Sequence, residues 1–127
     1  MVTPAAPGPG SGPEHLDRTR LGILRDEIGD QRLNGFVKAF LILLDERLDR
    51  IGAADSGRTS DALRAERDLR VSCVMLGADR LVELLVAVDL PLMAEVPASP
   101  AELAGLRLEA EAVVAALAPV LEETGRM

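Results

Sequence analysis

Few side chains in this chain could do chemistry. It has one imidazole, His15, and one thiol, Cys73. One histidine and one cysteine cannot make a zinc site, so no metal is expected. His15 stands between Glu14 and Asp17, just ahead of the first predicted helix. Any phosphohistidine would have to form there, although its position is that of an ordinary surface histidine near a helix start. Glycines 8, 10 and 12 lack the flanking strand and the Lys-Ser/Thr pair that a phosphate-cradling loop requires. Glu109, Glu111, Glu122 and Glu123 read as exposed acids of a helix rather than as paired catalytic carboxylates. What remains is a row of guanidiniums at Arg64, Arg67 and Arg70. Residues 67, 70, 71 and 74 share a helical face, so Arg67 and Arg70 flank Val71 and Val74, and Arg64 extends the basic edge one turn earlier. A guanidinium stays protonated and offers no lone pair, so this face can pair with carboxylates but cannot attack an electrophile. An apolar centre with an arginine rim suits protein docking. The competing reading buries Val71 and Val74 in the core.

The elements that must position these residues are helical. Leu, Ala, Glu and Arg are abundant, Trp and Tyr are absent, and Phe36 and Phe40 are the only aromatic residues. Residues 1–13, with Pro4, Pro7, Pro9 and Pro13 among Gly and Ala, are expected to be a flexible tail, and residues 14–127 one domain. A short first helix is predicted from Leu16 to Ile28, with Gly29-Asp30 as a stop followed by an N-cap. The clearest element carries Leu33, Phe36, Val37, Phe40, Leu44, Leu48 and Ile51 on one wide stripe and is closed by Gly52. A third helix, Thr59 to Leu76, places Ala62, Leu69, Cys73 and Leu76 on one face and stops at Gly77. A fourth runs from Ala78 to about Leu90, ahead of a connector bracketed by Pro91 and Pro97. Ser99-Pro100-Ala101-Glu102 then combines an N-cap, a first-turn proline and a capping-box glutamate. Pro119 is expected to bend or end the last helix. Helices with one apolar stripe each and short loops bury those stripes most simply in an all-α, antiparallel four-helix bundle, with the short first helix capping one end or lying against the second helix.

At 127 residues with a formal charge of −7, the chain is long enough for one core and too acidic for a dedicated nucleic-acid binder. No run approaches the length of a membrane span, and the first residues lack a cationic region followed by an apolar block, so neither a span nor a secretory signal is expected. A lone cysteine reads as a small core residue in a reducing cytoplasm. Lys38 stands alone against the arginines, as expected of a GC-rich bacterial genome.

The segment from Glu66 to Leu81 resembles the signature of histidine phosphotransfer (HPt) domains, in which Ala-His-x-Leu-Lys-Gly-Ser-x-x-x-Leu-Gly-Ala-x-x-Leu runs from one helix into the next. Leu69, Arg70, Ser72, Leu76, Gly77, Ala78 and Leu81 fall in register, with Arg70 where the family has lysine. Leu16-Asp17, Gly29-Asp30, Phe40 and Leu48 also match by position, so the similarity runs from about Leu16 to Asp89. The resemblance implies a bundle that meets the receiver domain of a response regulator or a sensor kinase. The chain departs from the family at the reacting centre: Arg67 stands where the phosphoaccepting histidine would be, Val71 replaces the glycine that clears space beside it, and Glu66 replaces a small residue and would repel a phosphoryl group. The expectation is a cytoplasmic, non-enzymatic module of two-component signalling, with no cofactor, that docks through Arg64, Arg67, Arg70, Val71 and Val74. It is expected to be a monomer or a homodimer that binds neither nucleic acid nor membrane. Arginine would there pair with receiver carboxylates without transferring anything. The alternatives are a structural or dimerising bundle, favoured by an uncovered apolar face on the last helix, and an enzyme or carrier using some other residue.

Overall fold

The computed structural model describes residues 15–126, so the expected tail lies outside the described residues. Five helices follow one another: α1 (Arg18–Ile28), α2 (Asp30–Gly52), α3 (Ser60–Leu76), α4 (Asp79–Met93) and α5 (Pro100–Thr124). The chain is all-α. Helix α2 packs on α3 and α5, α4 packs on the same two, and α1 lies across α2 and α3, which makes α2–α5 a four-helix bundle. Asp49 near the end of α2 meets Arg107 near the start of α5, while Asn34 near the start of α2 meets Thr124 at the end of α5, so these two helices are antiparallel.

Local chemistry sets the boundaries, and several differ from expectation. Helix α1 starts at Arg18 rather than Leu16 because extended Asp17 is its N-cap, its carboxylate accepting the Arg20 amide at 3.1 Å. Asp30 is not the cap of α2. Gly29, at φ 86°, takes that position, and the Asp30 carboxylate is held by Arg25 of α1. Thr59 precedes α3 without capping it, because its hydroxyl is buried and donates to the Leu92 carbonyl at 2.7 Å. Gly77 ends α3 in the left-handed region at φ 76°, and a Cβ there would come within 2.9 Å of the Asp17 side chain. The Asp17 amide in turn donates to the Gly77 carbonyl at 2.7 Å, fastening the entry of α1 to the α3–α4 turn.

Both internal prolines are tolerated. Helix α4 passes Pro91 and reaches Met93, which lets Leu92 bury against Ala62 and Val88. Helix α5 passes Pro119, which lies on the exposed side, and runs on to Thr124. Its last turn is tied down by Asn34, which donates to the Leu121 carbonyl and the Thr124 hydroxyl. In each case the contacts made beyond the proline offset the missing backbone bond.

The core contains Leu33, Val37, Phe40, Leu44 and Leu48 of α2, Leu69, Cys73 and Leu76 of α3, Leu81 and Leu85 of α4, and Leu106, Val113 and Leu117 of α5. Phe36, expected inside, is only partly buried at the edge of this cluster. Among the described residues, no helix is long and apolar enough to cross a membrane.

Candidate functional site

Helix α3 has two faces of different character. The inner face carries Ala62, Ala65, Glu66, Leu69, Cys73 and Leu76. On nearly the opposite side of the helical wheel, Arg67, Val71 and Val74 point to solvent, Val71 being 62% and Val74 47% exposed. The valines are therefore surface residues, and the alternative that they complete the core does not hold. Arg64 is also exposed and makes no ion pair among the described residues.

Arg67 does not project freely. Its Nε and one terminal nitrogen donate to the two carboxylate oxygens of Asp89 on α4, at 2.9 and 3.2 Å. Arg70 donates to the same carboxylate at 2.7 Å and to Glu66 Oε1 at 3.4 Å. The Asp89 side chain is only 12% exposed and thus takes three guanidinium hydrogen bonds from one neighbouring helix. Arg67 comes first among the groups that hold this carboxyl well below the usual range, and the carboxyl of Glu66 comes second.

Glu66 differs most from expectation. It is fully buried, so it presents no acidic group to the surface beside Arg67. The turn of the helix aims it toward Asp89 of α4, with Arg70 of its own helix alongside. Its Oε2 lies 2.8 Å from Arg70 Nε, out of line for a hydrogen bond, and is a buried oxygen with no hydrogen-bond partner. Burial above all, and then the hydrogen bond with Asp89, push its carboxyl up to about 8. A carboxyl raised this far favours its protonated form at neutral pH, in which it can donate to Asp89. Two guanidiniums then face one carboxylate, and the cluster holds surplus positive charge in a chain that is otherwise acidic.

Helix α4 adds an apolar border to this cluster. Val86, Leu90 and Met93 recur at helical spacing and are all exposed, Leu90 at 72%. Asp89, which joins α3 to α4, lies between them in sequence. The outer surface of the α3–α4 pair is thus an apolar strip crossed by the Arg67–Asp89–Arg70 bridge. Sequence reasoning named the α3 half and missed the α4 half. A signal for it was present: Asp89 interrupts the apolar run from Leu84 to Leu92, and an acid there needs a cation from a neighbouring helix.

Other chemistry-bearing residues lie apart. His15 is half exposed, and its Nδ1 stands 2.6 Å from Glu109 Oε2, while Arg80 Nε is 3.3 Å from Glu109 Oε1. Glu109, expected in solvent, is buried with these two partners. Cys73 is wholly buried, and burial pushes its thiol up to about 12, which leaves it protonated and inert. No three His, Cys, Asp or Glu side chains converge as a metal site among the described residues. Shallow grooves between α2 and α5 are floored by Leu44, Leu48 and Leu106, and Arg107 there is engaged by Asp49. Comparison of the chain with protein-family models, with characterised proteins and with solved structures yields no match.

Proposed function

We propose that this chain is a non-catalytic, HPt-like interaction module of bacterial two-component signalling, acting in the cytoplasm. It binds the receiver domain of a response regulator, or a sensor kinase, and modulates phosphoryl flow by occupancy. One observation carries this reading: an exposed apolar strip with an arginine rim lies where the resemblance puts the phosphoacceptor, and the residue at that point is Arg67, tied to Asp89. A guanidinium has no free lone pair, so Arg67 can pair with carboxylates but cannot act as a nucleophile. Hot spots favour such arginines beside a dry apolar centre, here Val71, Val74 and Leu90.

The test is titration of the protein against the receiver domains of its host, with Val71→Asp and Arg64→Glu alongside. Val71→Asp places an unpaired charge in the dry centre and should abolish binding, and Arg64→Glu should weaken it and flatten its salt dependence. Equal binding by all three proteins would move the interface elsewhere.

A second reading, a structural or dimerising bundle, is favoured by α5. Leu108 and Val114 are exposed there, and no charged residue occurs between Glu111 and Glu122. A helix apolar on nearly all sides usually has a partner on each. Sedimentation of the wild type and of Leu108→Glu decides between the two: a dimer lost in the variant supports this second reading.

A further inference from the structure

We propose that the buried Glu66–Asp89 pair is a proton-operated gate on the α3–α4 surface, setting whether Arg67 and Arg70 together contribute surplus positive charge to its arginine rim. The gate acts on docking only if the interaction reading above is right, but its chemistry can be tested without a partner.

Glu66 has no exposed atom, and one of its oxygens lacks a hydrogen-bond partner. The charged groups that face it are Arg70 and Arg67 on its own helix and Asp89 on α4, with none from α2 or α5. Two carboxyl groups in contact in a dry site cannot both be anions without large cost. With its proton on, Glu66 can donate to Asp89, while Asp89 accepts from Arg67 and Arg70. When the proton leaves to solvent, the donor becomes an acceptor and the two anions repel. Arg70 already touches both carboxyls, with Nε 2.8 Å from Glu66 and a terminal nitrogen 2.7 Å from Asp89. It is then drawn inward onto Glu66. Asp89 keeps Arg67, at the surface, and the cluster of Glu66, Arg67, Arg70 and Asp89 falls from one surplus positive charge to none, leaving Arg64 as the cation of the rim that is unpaired among the described residues.

A partner presenting carboxylates is thus held more tightly when Glu66 is protonated. The Glu66 carboxyl stands at about 8, so the gate works on the alkaline side of neutrality. The loss of one unit charge near a partly solvated contact corresponds to a roughly three- to tenfold weaker association.

Two measurements test this. First, the side-chain carboxyl resonances of Glu66 and Asp89 and the Arg67 Nε–H resonance are followed from mildly acid to alkaline pH in the wild type. The expectation is one common midpoint on the alkaline side, seen at Glu66 and reported by Arg67. A Glu66 that is ionised throughout, or an Arg67 signal that ignores its titration, overturns the gate whatever the partner. Second, a receiver domain captured in the titration above is measured against wild type and Glu66→Gln near neutrality and at alkaline pH. The wild type should weaken by the stated factor while the glutamine variant stays constant. The same weakening in both proteins assigns the pH dependence to the receiver and overturns the gate. If no receiver binds, the docking reading fails, and the resonance titration alone decides the gate.

Discussion

Replacing Glu66 with glutamine should stabilise the protein, by an amount that grows with pH. Glutamine keeps the shape and can still donate to Asp89, but it has no proton to lose. The wild-type carboxyl rises from 4.5 to about 8 on folding, chiefly through burial. The native state therefore holds a proton that the unfolded chain releases over that interval. When the native state binds more protons, stability falls as pH rises. Each pKa unit is worth about 1.4 kcal/mol, so the cost is near zero at the lower end, about 3 kcal/mol at pH 7 and roughly 5 kcal/mol above pH 8. Asp89 works in the opposite sense and a different window. Its carboxyl is lowered, so its contribution is present above the ordinary carboxylate range and is lost only as pH falls through and below it. The interval from about 4.5 to 8 thus belongs to Glu66. Urea unfolding of both proteins at each pH unit from 5 to 9, compared by midpoint at a common slope, measures the difference. Domains of this size have only about 5–15 kcal/mol in total, so the effect is large on that scale. Parallel stability curves for the two proteins would refute the claim that Glu66 folds with its proton on. A glutamine variant less stable than wild type at pH 9 would show that the ionised carboxylate is a net favourable partner of Arg70.

The remaining expectations concern packing, backbone and transfer. Phe40→Ala and Leu69→Ala should each cost about 2–5 kcal/mol in denaturant unfolding, because both side chains are core; values under one would place them at a yielding edge. Gly77→Ala should destabilise by about 1 kcal/mol or more, since its φ is 76° and the new methyl would collide with Asp17, and the thermal midpoint reads this directly. No acid-labile phosphoryl label should transfer from a phosphorylated receiver to the wild type, and Arg67→His should transfer poorly, with Val71 still beside the imidazole. Efficient transfer by that single variant would show that crowding at Val71 is unimportant. Charge reversal at Arg67 should lower the thermal midpoint as well as binding, because it sets a second carboxylate on Asp89.

Periodicity and capping chemistry made most of the fold legible. The stripe of α2, the Gly77 stop and the Ser99–Glu102 capping box are local signals with local causes, and both capping-box hydrogen bonds are present. As marks of a helix end the prolines misled, because a backbone bond lost at Pro91 or Pro119 is a local penalty, whereas the burial of Leu92 and the anchoring of Thr124 are tertiary gains no window of sequence displays. The candidate site was half legible for the same reason. Helical spacing put Arg67, Arg70, Val71 and Val74 on one side of α3. Glu66 was mistaken for a surface acid because its burial depends on Asp89, a residue of the next helix. Glu109 was misjudged likewise, its partners coming from His15 and Arg80.

Cys73 gives the protein a built-in clock. Its sulfur lies at the centre of the bundle with no exposed atom, in a protonated state that thiol reagents do not attack. Alkylation must wait until the helices part, so the rate of Cys73 modification counts opening events rather than surface collisions. The same silence makes the background clean for reporters. A cysteine introduced at Val71 or Leu90 would react at once, and a dye placed there could watch the α3–α4 surface while the native thiol independently times the opening of the core.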